Sequence, residues 1–365
     1  MPRRRTTTGS TPPLIGSGEG VGGRGIPLIR RELLAFFDAH RRDLPWRRTR
    51  DAYAIWVSEV MLQQTRVDTV IPYYTRFLAR FPTVHTLADA PLDDVLAHWS
   101  GLGYYRRARM LHAGARAVTE SHDGRIPDTR DALESIPGIG AYTAGAIASI
   151  AYDRREAIVD GNVERVVSRL FALEGNPRTA EGKRRVWDLA RQFADADRPG
   201  DTNQALMELG ATVCVPVSPK CDRCPVRKAC SAREKGKPER YPELAARKAV
   251  RTERWTSVVA FDRSKSRVLM HPRTEERWHG MLVPPLVDGA VDDPRVRAIT
   301  KQLDATKSCG SVRHVLTHAA MEIEVMSGVS RSKSTRGPEW VPIAELDVRA
   351  VPKVTREILR AAGVR

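Results

Sequence analysis

Residues 133–147 read L-E-S-I-P-G-I-G-A-Y-T-A-G-A-I, and this stretch decides the fold. Two helix-patterned segments flank Pro-Gly-Ile-Gly, where Gly138 and Gly140 are free to take backbone conformations that other residues resist. A hairpin of this kind aims the N–H groups of a helix start at an anion, and in a basic chain that anion is a DNA phosphate. Taken alone, the motif has a tight helix-helix turn as its lesser alternative reading. Outward from it, the helical pattern runs from Pro27 to about Thr212, with Leu28, Leu33, Leu34, Phe36 and Phe37 in one segment and Ile55, Val57, Val60 and Met61 in another. Further helices are expected near 66–79, 88–98, 105–120, 141–151, 163–173, 183–194 and 202–213, punctuated by Pro and Gly.

Twenty residues after Gly140 stands Asp160, between the apolar run 157–159 and G-N-V-E-R. An Asp there either caps the following helix or carries a charge for chemistry. A second carboxylate, Glu59, lies in W-V-S-E-V-M-L-Q-Q-T at 56–65, crowded by Ile55, Trp56, Val60 and Met61. Apolar surroundings disfavour the charged form, so Glu59 is expected to stay protonated and act as a general acid.

Cys214, Cys221, Cys224 and Cys230 are separated by gaps of six, two and five residues, which brings four sulfurs round one small object. Tetrahedral zinc accepts four cysteines, usually as two close pairs; one close pair with two outliers fits an iron-sulfur cluster better. A disulfide framework is not expected, because 365 residues bury cores without staples. Cys309 reads as an inert thiol.

The chain carries 60 Lys and Arg against 44 Asp and Glu, a formal charge of +16. The excess is uneven, with 11 basic and 4 acidic residues in 1–50 and 12 against 5 in 214–255. Local basic concentration is what a phosphate-binding surface requires. No apolar run approaches the ~20 residues that span a bilayer, so a soluble protein without a membrane partner is expected. The length suggests two domains: a disordered basic tail at 1–25, an all-α domain at 26–232, a charged linker at 233–251 and an α+β domain at 252–365. In the last, residues 255–261, 267–270, 312–316 and 321–326 read as strands, with a helix at the C-terminus.

Together the motifs resemble one family. R-R-D-L-P-W at 41–46, S-E-V-M-L-Q-Q-T at 58–65, G-L-G-Y-Y at 101–105, the hairpin, D-G-N-V-x-R-V at 160–166, N-Q-A-L-M-E-L-G at 203–210 and the four cysteines are similar to MutY-type adenine DNA glycosylases. These belong to the helix-hairpin-helix, iron-sulfur superfamily, and the likeness runs from about Leu28 to Val325. It implies a mainly α helix-hairpin-helix glycosylase fold with a [4Fe-4S] cluster loop at 214–230, followed by a smaller α+β Nudix-like domain. It also implies removal of adenine mispaired with 8-oxoguanine, and with guanine, from double-stranded DNA.

By that resemblance Glu59 protonates adenine at N7 and Asp160 stabilises the cationic sugar. Tyr142 stands where related glycosylase/lyases carry a Schiff-base lysine, so base release without strand cleavage is implied. Gln64 and Tyr104 enter the helix beside the orphaned 8-oxoguanine. Arg42, Leu44, Trp46, Arg47 and Gln204 line the adenine pocket or its supports, and Arg106, Arg107 and Arg109 meet phosphates or form a solvated helix face. The C-terminal domain shows W-H-G-M-L at 278–282 and R-H-V-L-T-H at 313–318, in which Leu316, Thr317 and His318 replace the family's Phe-Ser-His reading loop. Thr317 keeps a hydroxyl donor, an aromatic contact is lost, and a softer discrimination of 8-oxoguanine from guanine is implied. The Nudix acidic helix is missing, so this domain is expected to bind and not to hydrolyse. Two rival readings remain: an endonuclease III-like glycosylase/lyase, against which Tyr142 and the extra domain speak, and a silent DNA-binding or redox protein. A monomer in a nucleoid-bearing cytoplasm is the expectation.

Overall fold

A computed structural model describes residues 25–245, 250–275, 277–316, 319–332 and 340–364. The tail expected at 1–25 lies outside the described residues except for Gly25, and so do Thr317 and His318. The helices run, in chain order, α1 (Ile26–His40), α2 (Ala52–Leu62), α3 (Val67–Arg80), α4 (Val84–Ala88), α5 (Leu92–Trp99), α6 (Arg106–Ser121), α7 (Arg130–Glu134), α8 (Ala141–Tyr152), α9 (Gly161–Leu170), α10 (Ala180–Ala194), α11 (Pro199–Thr212), α12 (Ser231–Glu234), α13 (Pro294–Thr300) and α14 (Lys353–Ala361). None is long and apolar enough to cross a membrane. The strands are β1 (Arg251–Phe261), β2 (Arg267–Leu269), β3 (His271–Pro272), β4 (Leu282–Val283), β5 (Leu286–Val287), β6 (Leu303–Val315), β7 (Ala319–Ser330) and β8 (Trp340–Pro342).

The chain divides into two units. The first comprises Met1–Asp43, Asp128–Arg130 and Gly140–Ala245. Its core is built from one stripe of each helix: Ile29, Leu33 and Phe37 of α1, Val163, Val166, Val167 and Leu170 of α9, and Leu206 and Leu209 of α11. Gly145 and Gly200 allow close backbone approach, since a Cβ at Gly200 would meet the backbone of Ser149 and Ile150. The stretch read as a linker starts inside this unit. It forms α12 and a 3₁₀ turn at Pro238–Arg240, and buries Tyr241, whose carbonyl accepts from Arg169 Nε at 2.9 Å.

The second unit comprises Leu44–Pro127, Asp131–Ile139 and Ala246–Arg365. Its helical part centres on α2, which buries every residue from Ala52 to Met61. A helix apolar on all sides has no solvent face to offer, and its N-terminus is fixed by Asp51, whose carboxylate accepts from the N–H groups of Tyr53 and Ala54. The sheet order is β6-β7-β1-β2-β8, with β5 also paired to β1. β1 and β7 run parallel through eleven residue pairs, and the other pairings are antiparallel. One face packs Val259, Met321, Ile323 and Val325 against Val354 and Ile358 of α14; the other packs Val258, Ala260 and Val287 against Val296 of α13. This is the α+β arrangement expected from the strands read at 255–261, 267–270, 312–316 and 321–326 and the C-terminal helix.

Gly114 of α6 is the tightest point beside Glu59's helix. A Cβ there would lie 2.6 Å from the Pro137 carbonyl oxygen and 2.8 Å from the Trp56 ring. Gly114→Ala therefore forces Trp56 or the hairpin aside and should destabilise the protein by ~1–3 kcal/mol, an overpacking penalty larger than the helix propensity that Ala gains. Denaturant unfolding checks this; an unchanged or raised midpoint would show that the packing yields.

Candidate active site

α9 starts where it does because Asp160 caps it. The carboxylate accepts from Val163 N at 2.7 Å, Asn162 N at 2.9 Å and Asn162 Nδ2 at 2.8 Å. Burial pushes its pKa above the ordinary 3.8, while those hydrogen bonds and the charge of Arg165 pull the other way. Cap and strained charge are thus one and the same residue. Asn162 Oδ1 in turn accepts from Arg165 Nη2 at 2.9 Å, and Arg165 Nε donates to the Cys214 carbonyl at 2.7 Å. One turn on, the buried Arg169 donates to the carbonyls of Val215 and Pro216 at 2.7 and 2.8 Å and approaches Cys214 Sγ at 3.4 Å. Arg165 is part of the motif D-G-N-V-x-R-V, but the sequence assigns neither arginine a role; a basic residue on the polar side of D-G-N-V-E-R-V-V-S-R gives no hint that its partners are carbonyls fifty residues away.

Tyr142 sits in the first turn of α8, half-buried, with its hydroxyl 3.5 Å from Met207 Sδ. Of the two hairpin glycines only Gly138 needs its freedom, with φ +84° and a would-be Cβ 2.7 Å from Met110 Cβ. Gly140 is extended at φ −103° with open space around it, so a conformational demand at that position is not found. It precedes α8 with no side-chain cap. Arg42 is clamped by Glu208, donating from Nε and Nη2 at 2.8 Å each to a carboxylate with no exposed surface. Gln204 is half-buried on α11 beside the buried Asn203, whose Nδ2 donates to Ser149 Oγ and the Glu156 carbonyl.

In the other unit, Glu59 is 5% exposed on α2, one turn from the fully buried Trp56. Leu44 and Trp46 are buried, Trp46 edge-on to Tyr74 at 5.4 Å, and Arg47 is half-buried at the end of a 3₁₀ turn. Gln64 and Tyr104 share a property the sequence did not show: both adopt left-handed backbone, at φ +57° and +50°. For residues with a Cβ this costs about 1–3 kcal/mol each and is kept only where the surroundings impose it. Tyr104 is 47% exposed, and Arg106 is exposed. Arg107 corrects the expectation of a phosphate contact, because it is buried against backbone carbonyls.

The loop 101–105, the start of α6, β1 and the end of β6 together line a cavity of about 1120 Å³. Within it Arg273 lies over the rings of Trp255 and Trp278, at 5.4 and 5.9 Å, and Arg277 over Trp255 at 5.8 Å. Burial lowers the pKa of Arg273; its Nε lies 3.3 Å from Glu275 in an ion pair without hydrogen-bond geometry. Leu316 also lines the cavity.

Cys214, Cys221, Cys224 and Cys230 line a separate small cavity with Arg169 and Arg233, and none forms a disulfide. Burial pushes the Cys224 thiol up to about 12 and raises Cys221 and Cys230, and the neighbouring sulfurs add to each rise. Sulfurs crowded in this way ionise only with a positive group between them. Among the described residues no three His, Cys, Asp or Glu side chains are placed round a single metal ion. Four sulfurs lining one small cavity are a donor set suited to a thiolate-ligated metal centre.

Residues 57–192 match the family described as HhH-GPD superfamily base excision DNA repair protein, the class that the hairpin and the capping carboxylate define. A solved thermostable thymine-DNA glycosylase has the same fold over 97% of its length and 57% of this chain, at 30% identity and a TM-score of 0.52. The adenine DNA glycosylase of Rattus norvegicus is 51% identical over 219 residues, 58% of this chain and 42% of the relative; that of Homo sapiens is 50% identical over 219 residues, 58% and 40%. The adenine DNA glycosylase of Buchnera aphidicola subsp. Schizaphis graminum is 34% identical over 250 residues, 68% of this chain and 71% of the relative. This chain belongs to the adenine DNA glycosylase family. It spans about two fifths of the length of the mammalian relatives it matches.

The raised pKa of Asp160 makes a prediction about stability. A carboxylate whose charged form is disfavoured in the folded state destabilises it above its folded pKa, and that penalty disappears once the group is protonated in both states, below about 3.8. Asn keeps a capping oxygen without the charge. Asp160→Asn should therefore melt higher than the unaltered protein at pH 7, with the difference closing as pH falls toward 4. A variant that melts lower at every pH would show that the hydrogen bonds outweigh burial.

Proposed function

We propose that this protein is a monofunctional DNA glycosylase that hydrolyses the N-glycosidic bond of adenine mispaired with 8-oxoguanine, and with guanine, in base excision repair. The observation that carries the reading is the setting of its two carboxyls. Glu59 is sealed in an apolar helix and Asp160 is held by three hydrogen-bond donors. Departure of adenine needs an acid and an anion, because the leaving nitrogen gains electrons while the sugar becomes oxocarbenium-like. Glu59 donates its proton to adenine N7. Asp160, already fixed by its cap bonds, meets the positive sugar without reorganising, which is where preorganised charge acts most strongly. Glu59, now ionised, assists the water that completes hydrolysis. Tyr142 offers no amine, so no imine with the sugar forms and the strand is left uncut.

Cys214, Cys221, Cys224 and Cys230 are the residues to hold a [4Fe-4S] cluster. Bound there, it supplies a rigid cross-link for the basic segment with Lys220, Arg223, Arg227 and Lys228 and takes no part in the glycosidic step. The cavity of the second unit supports reading of the orphaned base: at about 1120 Å³ it admits a nucleotide with its neighbours, and its stacked arginine and tryptophan faces suit a flat, electron-rich ring. Thr317 and His318 belong to that reading by resemblance. A monomer acting in the cytoplasm, on the nucleoid, completes the proposal.

Single-turnover base release from an A:8-oxoguanine duplex, read with and without alkali, tests it. Cleavage of the adenine strand should need alkali, and Glu59→Gln should slow release by ~10²–10⁴-fold, the range a general acid supplies. Near-normal release by the variant would remove Glu59 from the mechanism. Alkali-independent cleavage at thymine glycol with adenine untouched would move the chain to the glycosylase/lyase class.

A further inference from the structure

Arg107 joins the two turns that carry Gln64 and Tyr104. From α6 its Nη1 reaches the end of α2, where the Val60 and Met61 carbonyls lie at 2.8 Å and the Gln63 carbonyl at 2.5 Å. These oxygens stand where the helix stops and its own donors run out, so the guanidinium serves as a C-cap supplied from another helix. Nη2 donates at 3.1 Å to Thr65 Oγ1, just past Gln64, and at 3.1 Å to the Gly103 carbonyl, just before Tyr104. Trp99 Nε1 donates to that same carbonyl at 3.0 Å. The guanidinium plane is held between rings, 5.4 Å from Trp99 and 5.3 Å from Tyr104. One side chain thus bonds on both sides of the chain segment at Gln64 and at the residue preceding Tyr104.

We propose that Arg107 is a positioning residue that locks the Gln64 and Tyr104 tips into one rigid, two-pronged wedge for the DNA duplex. The proposal rests on the functional reading above, in which both tips enter the helix. Each tip is left-handed, a conformation that residues with a Cβ abandon when nothing imposes it, and Arg107 imposes both at once. A wedge of two loosely hinged side chains would lose its own ordering entropy on insertion; one held in advance loses little. Lysine cannot replace it, because a single ammonium neither reaches both turns nor stacks as a plane.

The test is a double-mutant cycle on the full chain, using a duplex with 2-aminopurine beside the A:8-oxoguanine pair and reading its unstacking fluorescence on binding. Gln64→Ala and Tyr104→Ala should each lower the signal and combine non-multiplicatively, with a coupling of about 5-fold or more. In the Arg107→Lys background that coupling should vanish, and base release should fall while circular dichroism is retained. If Arg107→Lys does not fold, Thr65→Val, which deletes one acceptor, should weaken the coupling in the same direction. Multiplicative tips in the unaltered protein, or a coupling that survives both substitutions, overturns the wedge. The fluorescence cycle is read on the bound duplex, so it decides the wedge whether or not adenine is released. Absence of adenine release from the unaltered protein instead overturns the functional reading.

Discussion

The hydrogen bonds that pin Asp160 to the first turn of α9 are the constraint on which the polar architecture of the first unit depends. They fix a carboxylate in a site where burial raises its pKa, and they do so with backbone N–H groups that cannot turn away. The helix that provides them is itself immobilised on two sides. Val163, Val166, Val167 and Leu170 sit in the core, while Arg165 and Arg169 grip the backbone leading into the cysteine loop. A capping bond adds about 1 kcal/mol to a helix, yet here it also sets the position of a charge. The segment of lowest tolerance in this unit is therefore a polar one, and the cysteine loop belongs to the support of that carboxylate as much as to any DNA surface.

The second unit places its buried carboxyl differently. Glu59 lies on α2, which has no exposed face over ten residues. Between its capped ends such a helix is held by shape. Gly114 and the hairpin carbonyl of Pro137 close on Trp56, and the aromatic cluster of Phe77, Phe81 and Trp99 fills the space behind. The two carboxyls thus sit in different settings, one at a helix N-terminus held by named donors and one within a helix buried on every side.

Much of this was legible beforehand, for definable reasons. Helices with a clean apolar stripe, such as α6 and α10, announce themselves, and so does a cap followed by G-N-V at Asp160. Where the pattern failed, local rules were overridden. The expected start of a helix at 88 falls on the last residue of α4, a five-residue helix that Thr83 and Thr86 close with a capping box, too short for any periodicity. β6 is thirteen residues long, but only its last few were expected; register shifts at 304–307 and 308–311 break the alternation, and its outer face is exposed. Tyr241 is a core residue inside a charged run, because its partner Arg169 lies seventy-two positions away. The left-handed backbone at Gln64 and Tyr104 has no signature at all in those residue types.

Arginine shows most plainly why composition reads function only coarsely. A formal charge of +16 argues for phosphate, yet several guanidinium groups face inward. Arg42 is spent on a fully buried carboxylate, Arg107 and Arg169 on carbonyl oxygens, and Arg273 on two indole faces. Each acts as a planar, many-armed donor that cross-links chain segments distant in sequence, work for which lysine is unsuited. Counterion release depends only on the charges that can reach a phosphate, such as Arg106 at the exposed start of α6. Net charge therefore sums two different things: guanidinium groups exposed enough to reach a phosphate, and others, such as Arg107 and Arg169, that hold turns and a capped helix in place.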